Sequence, residues 1–474
     1  MTERIIQGSL YREVARFGTP LALGMGLQTT FNLVDAYILG RLEHPTASAA
    51  LGAIGICDQL SALGTIVSYG LSIATAAILS RRKGERDSQG ICRVAWQSLL
   101  LILGLSAIFG VVAALGAGFV IRDLVGAKGR VAVLGTSYLR IMVGGSFTMF
   151  LLLHLTTIQR ALGSSKTPIA MLLGANALNF VLAVLLVYGP GPAPPIFAWG
   201  PSIAGFLRLP RMELLGAAWA TIIARIVFLV PTAFILVKRF GLFRRDSWGR
   251  PSREVLGKIV TIGWPSSVQL AVRIVAMLAM QSIVARAYTT DTDQSATTAL
   301  GIVFRLETMA LFIGLGWGSA SQTFMGQNLG AGKVRRAKAS GWYAMLYNAV
   351  MMAVLALAYR LGAARIVGFF DSAPSIVSFA CDYIKWVGPS YVALGVGIVL
   401  GSAIQGAGAT RQTLVLDTAV IFLVQIPASL LVVFGWHLGP VRLWQVLAVT
   451  YVAYAALYTL SYRRGAYLDT ALAA

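Results

Sequence analysis

The chain has 474 residues, 57% hydrophobic and only 12% charged, with a mean hydropathy of +0.75 and a formal net charge of +21 at pH 7. So little charge cannot cover the surface of a water-soluble protein of this size, which excludes a soluble enzyme or binding module. The basic balance does not imply nucleic acid as a partner, because no basic folded domain lies outside the apolar runs.

Twelve apolar runs are long enough to cross a hydrocarbon core of about 30 Å, which takes about 20 helical residues. They centre on 17–39, 47–79, 94–121, 133–159, 168–188, 214–237, 259–285, 297–329, 339–359, 386–405, 413–436 and 443–462. Runs of this length are helices, not barrel strands. The first sixteen residues carry Arg4, Arg12 and Arg16 and no small-residue cleavage site, so the first run is expected to stay as an anchor.

Within the first run, Gln28, Asn32 and Asp35 fall at i, i+4 and i+7, and Phe31 shares their face. A lipid-facing stripe would not carry two amides and a carboxylate, so this face is expected to line a cavity where Asp35 handles a proton or a cation. Asp58 follows Ala50-Leu51-Gly52 in the second run as Glu307 follows Ala299-Leu300-Gly301 in the eighth, which makes the two acids repeat-equivalent. In the fifth run Asn176 and Asn179 share a face, as ion ligands or as interhelical glue. The connection 189–212 holds six prolines and the apolar Ile196, Phe197 and Trp199. It cannot be regular helix throughout and is expected to pack on the outer mouth as a surface insertion.

Arg225, Arg273 and Arg305 lie inside the sixth, seventh and eighth runs. Arg305 and Glu307 are two apart and cannot face each other along a helix, so Arg273 is the expected partner of Glu307. Asp417, a few residues into the eleventh run, reads as interfacial or structural. Cys57, Cys92 and Cys381 imply no disulfide framework, and His44, His154 and His437 have no metal-ligand spacing.

The second half of the chain restates the first. Gly18-Thr19-Pro20 enters the first run and Gly263-Trp264-Pro265 the seventh, while Gly163, Ser165 and Lys166 match Gly408, Thr410 and Arg411. The offset is the same, since 263 − 18 = 408 − 163 = 245. Six helices per copy leave both copies with one orientation, related by a pseudo-two-fold along the membrane normal with a cleft between them. The expected architecture is an all-α integral membrane protein: a six-helix bundle over 1–237, a cytoplasmic linker over 238–258 and a second six-helix bundle over 259–474. With both termini cytoplasmic, 24 Lys and Arg fall on the inner side and 12 on the outer, as the positive-inside rule asks. Basic loops such as 238–258 and 333–338 then face anionic lipid headgroups.

Near the end of the eighth run the chain reads Gly314-Leu315-Gly316, then Ala320, then Gly326-Gln327-Asn328-Leu329-Gly330-Ala331-Gly332-Lys333. This string resembles the signature of the multidrug and toxic compound extrusion (MATE) transporters. Val34-Asp35 with Leu39-Gly40-Arg41, Gly216-Ala217-Ala218 with Ala220-Thr221, and Gln405-Gly406-Ala407-Gly408 resemble further stretches of that family, spread over both halves. The resemblance implies an ion-coupled antiporter, driven by proton or sodium, that exports small amphipathic compounds by alternating access. It maps the family's first-helix acid onto Asp35 and implies no cofactor beyond the coupling ion.

Two departures stand out. Arg273 sits eight residues after the seventh-run proline, where one branch has a glutamate, and that branch's tenth-helix aspartate falls near Leu394. Ala183 stands where another branch has an acid four residues after Asn179. A cavity containing Arg273 favours anionic or zwitterionic cargo over lipophilic cations. The rival reading is a flippase of lipid-linked oligosaccharide, which usually brings extra helices or a strongly cationic cavity; here buried acids match buried arginines. An enzyme is not expected, since no clustered nucleophile or metal site is present. The expected partners are a small organic substrate and membrane lipids, with the protein a monomer.

Overall fold

The computed structural model describes residues 2–43, 46–126, 128–243, 249–290 and 293–469, with the backbone alone for 30–36 and for most of 46–65. Every apolar run is a helix. In the first half these are α1 (Leu10–Gly40), α2 (Thr46–Gly84), α3 (Ser88–Phe119), α4 (Gly129–Gly144 and Ser146–Ala161), α5 (Lys166–Tyr188) and α6 (Glu213–Phe240). The second half holds α7 (Arg253–Tyr288), α8 (Ser295–Gly330), α9 (Val334–Phe370), α10 (Pro374–Gly406), α11 (Thr410–Gly435) and α12 (Pro440–Arg464). Nine of them, with α4 as a tenth bent by 40° at Gly145, are apolar and long enough to span a bilayer among the described residues. Helices α1 and α2, of 31 and 39 residues, complete the twelve.

The first half is built on two apolar clusters, one around Ile38, Leu139 and Tyr188, the other around Leu79, Phe150 and Leu236. The second half has one around Leu300, Tyr383 and Trp444 and one around Leu400, Tyr458 and Tyr462. Val14, Phe17 and Leu21 of α1 belong to the second half's cluster, so the start of α1 crosses the divide.

The sequence match between the two connections has a conformational cause. Gly163 and Gly408 sit at φ +94° and +91°, and each donates its N–H over 2.9 Å to the carbonyl three residues back, Arg160 and Gln405. Both helices therefore end on a left-handed residue, which glycine adopts without steric cost. The proline-rich connection forms a 3₁₀ turn at Pro195–Phe197 and a short helix at Trp199–Phe206. Phe197 is buried with its ring about 6 Å from those of Tyr37, Phe180 and Tyr188, so this segment packs on the ends of α1 and α5. The residues just before α7 lie against α3, where Gln97 donates to the Arg250 carbonyl (3.0 Å) and accepts from the Ser252 N–H (3.0 Å).

Candidate functional site

The halves meet along α1–α8 and α2–α7, and their contacts repeat across the pseudo-two-fold. A Cβ on Gly330 would lie 2.0 Å from the Arg81 carbonyl oxygen, and one on Gly84 would lie 2.1 Å from that of Gln327. These are one contact made twice, since 330 − 84 = 327 − 81 = 246. A second layer repeats the pattern, with Gly316 against Ala22 and Gly70 against Ser267. The glycine string at the end of α8 is thus a close-packed seam against α2. Gln322 donates across it to the Ile73 carbonyl (3.1 Å) and Gln327 to that of Ala161 (2.8 Å), so hydrogen bonds as well as close packing tie the crossing. At the same end, Lys333 donates to the Ile6 carbonyl (3.1 Å), and Arg336 to those of Ile5 (3.1 Å) and Gly8 (2.5 Å).

Beyond the seam lies a cavity of about 510 Å³ between the halves. The first half lines it with Met25, Gln28, Tyr69, Arg160, Asn176, Asn179 and Arg225, the second with Ser266, Gln269, Arg273, Phe312 and Gln405. On the second-half wall the polar groups around Asp417 form a network. Asp417, fully buried, accepts on Oδ2 from Arg273 Nε (2.7 Å) and Gln269 Nε2 (2.9 Å), and on Oδ1 from the Tyr458 hydroxyl (2.5 Å). Arg273 Nη2 donates to the Tyr454 hydroxyl (2.7 Å), and Gln405 Nε2 to Gln269 Oε1 (2.8 Å). Each charge here has its opposite, and each carboxylate oxygen its donors.

The first-half wall is built differently. Asn179 Oδ1 accepts from Thr221 Oγ1 (3.1 Å), tying α5 to α6, while the Nδ2 of Asn176 is buried without a protein acceptor. Arg160, 8% exposed, sits on the last turn of α4 and reaches the cavity. Its Nη2 donates to Thr157 Oγ1 (2.6 Å) and its Nη1 meets Met25 Sδ (3.7 Å). Deeper in this half, His154 lies between Ser72 Oγ (3.2 Å) and Ser98 Oγ (3.0 Å), bonding α4 to α2 and α3.

Several expectations change. Arg273 does not pair with Glu307. Helix α11 packs on α7 and brings Asp417 under Arg273, whereas Glu307 lies among α8, α10 and α12 and accepts from the Tyr383 and Tyr451 hydroxyls. Glu307 is not among the residues lining the cavity. Of the two readings of Asp417 the structural one holds and the interfacial one does not; α11 begins at Thr410, two turns earlier, and buries it. Arg305 is exposed on the outer face of α8. Gln28, Asn176, Asn179 and Arg273 do meet in one cavity, while the side chains of Phe31, Asn32, Asp35 and Asp58 lie outside the described residues. Sequence reasoning missed Arg160, Gln269 and Gln405. The signal was available for two of them: Arg160 and Gln405 stand 245 apart, three residues before the paired glycines.

Comparisons with known proteins cover nearly all of the chain. A family model described as MatE matches residues 20–185 and 265–431, one stretch in each half. The chain is 27% identical over 469 residues to the probable multidrug resistance protein YpnP of Bacillus subtilis (strain 168), covering 97% of this chain and 96% of that protein. Its fold is similar to a crystal structure of MATE in complex with MaL6, with a TM-score of 0.86 at 21% identity over 99% of both chains. It is also similar to a MOP superfamily transporter from Pyrococcus furiosus Vc1, for which reverse polarity of the binding pocket is said to suggest a different function. That TM-score is 0.85, at 22% identity over 97% of both chains.

Proposed function

This chain belongs to the MatE family of membrane transporters, and on that premise we propose that it is an ion-coupled antiporter exporting small amphipathic organic compounds by alternating access. The observation that carries the reading is the cavity of about 510 Å³ between two halves whose seam contacts repeat at an offset of 246. Two like-oriented bundles joined by such a seam can rock, parting it at one end while closing on the other.

The bundles are taken as 1–237 and 259–474, joined by the linker 238–258. With both termini and the linker on the basic side, the sealed end is cytoplasmic and the cavity stands ready for release outward. Asp35 is assigned as the coupling acid, taking up a proton or a sodium ion as the cavity changes face. The helical backbone of α1 carries residue 35 seven positions beyond Gln28, about 10 Å along the axis and so farther from the seam than that cavity-lining residue. The protein acts as a monomer in the cell membrane, and its organic cargo enters from the cytoplasm or the inner leaflet.

Liposomes containing the purified protein, given an imposed proton or sodium gradient, test this reading. The intact chain is expected to move a fluorescent amphipath against one of the two gradients. Asp35→Asn keeps the shape and loses the titratable charge, so it is expected to remain folded and inserted while losing that movement. Full gradient-driven efflux by the variant would remove Asp35 from its role, and no ion-dependent movement by the intact chain would remove antiport.

A further inference from the structure

We propose that Arg160 is the cavity's charged receptor and that the cargo it takes is an amphipathic organic anion, an assignment that rests on the transporter reading above. Three cations among the described residues line the cavity: Arg225 is engaged by a partner within the protein, and Arg273 is neutralised, with Asp417 2.7 Å from its Nε. Arg160 has no such partner. No carboxylate among the described residues lies within ion-pair distance of it, and its hydrogen bonds go only to a hydroxyl and a thioether. Its Nε is buried and makes no hydrogen bond within the protein.

The acid of α1 does not fill the role. Residue 35 stands ten helical positions from Met25, which Arg160 touches, and at 1.5 Å per residue that is about 15 Å along the axis. The acid of α11 has no counterpart on this wall either, because the position repeat-equivalent to Asp417 is Leu172 (417 − 245 = 172), itself a cavity-lining residue.

A guanidinium more than nine-tenths buried and turned to a cavity with no carboxylate among its described lining residues is costly unless an anion joins it. Its planar fork presents donors suited to a carboxylate or a phosphate. A second buried donor without a protein acceptor, Asn176 Nδ2, lines the same cavity. Met25, Leu152 and Leu153 supply the apolar wall beside Arg160 that the rest of an amphipath requires. A lipophilic cation would meet the opposite: a like charge that no acid among the described residues offsets. The role is not that of a seam residue, because Arg160 contributes to the seam through its carbonyl, which accepts from Thr323 Oγ1 (3.3 Å), and this leaves the side chain to the cavity.

The test uses two dansyl compounds of opposite charge, dansylglycine (a carboxylate) and dansylcholine (a quaternary ammonium), titrated by fluorescence into purified protein in uncharged detergent. The intact chain is expected to bind dansylglycine about tenfold tighter than dansylcholine, the scale of a charge-assisted hydrogen-bonded contact. Arg160→Gln is expected to abolish that preference, and Arg160→Lys to keep part of it, since the charge remains and the fork does not. Asn176→Asp places a negative charge in the same cavity and should weaken dansylglycine binding even if Arg160→Gln does not fold. Equal or tighter binding of dansylcholine by the intact chain overturns the assignment. So does dansylglycine affinity left unchanged by the Arg160 and Asn176 substitutions. Binding of dansylglycine through Arg160 without ion-driven movement in liposomes would instead leave the receptor standing and sink the antiport reading.

Discussion

Arg160 and Gln405 occupy the same turn of the two halves, Gln28 and Arg273 the same position on α1 and α7, and Leu172 and Asp417 the same position on α5 and α11, each pair 245 apart. All but Asp417 line the cavity, and Asp417 lies just behind Arg273. The backbone plan is repeated and the charges are not. The second half holds the cavity cation Arg273 and its acid together in a network with Gln269, Tyr454 and Tyr458, and that network is neutral. The first half carries Arg160 on the cavity wall with no acid in ion-pair range among the described residues. What the two halves share sets the seam; what they do not share sets what each wall can hold.

Exchanging the side chains at these positions would break the comparison most forcefully. Asp417→Leu gives the second half the residue of the first and strands Arg273, at a cost of about 3–5 kcal/mol for a broken buried pair. The lower end is expected, because the Arg273 side chain keeps 28% exposure and can draw in water. The double variant Arg273→Gln with Asp417→Leu restores the first-half identities at both positions and should recover most of that loss in thermal unfolding. Losses that simply add would show that the two side chains act independently.

A smaller effect sharpens the shared part. Gly84→Ala and Gly330→Ala each drive a methyl onto the partner helix's backbone, and overpacking of this kind costs about 1–3 kcal/mol. Because the contact is one contact made twice, the two variants should lose nearly the same stability. A clear inequality in their unfolding midpoints would show that the seam is not symmetric in energy, whatever its geometry.

How much of this could be read from the chain depends on the range of the constraint. The twelve helices and the repeat were legible because length, apolar content and glycine spacing are local features. Gly163 and Gly408 needed only their left-handed turns, and the glycines of Gly326–Gly330 only the closeness of one neighbouring backbone. Which side chains meet was not legible in the same way. Arg273 has Glu307 on the next helix in sequence and Asp417 four helices on, and only the packing of α11 against α7 decides between them. Arg160 follows the last apolar residues of its run and counts as a loop cation in one dimension. Helix α4 extends through Ala161, and its final turn faces α1 across the cavity. Asp35 was the sharpest feature of the sequence, and its side chain lies outside the described residues, so its part in coupling stands as a proposal for the liposome experiment.

The claim that the seam parts and re-forms as the cavity changes face is open to direct measurement. Spin labels on cysteines at Glu85 and Arg335, exposed positions just past the end of α2 and on the first turn of α9, would report the distance between the halves in a background lacking Cys57, Cys92 and Cys381. Two distance populations are expected, a short one for the sealed arrangement and a longer one, with a ratio that shifts when the coupling ion or a transported compound is added. A single distance that stays constant while the same protein moves its cargo in liposomes would contradict the rocking of the two halves.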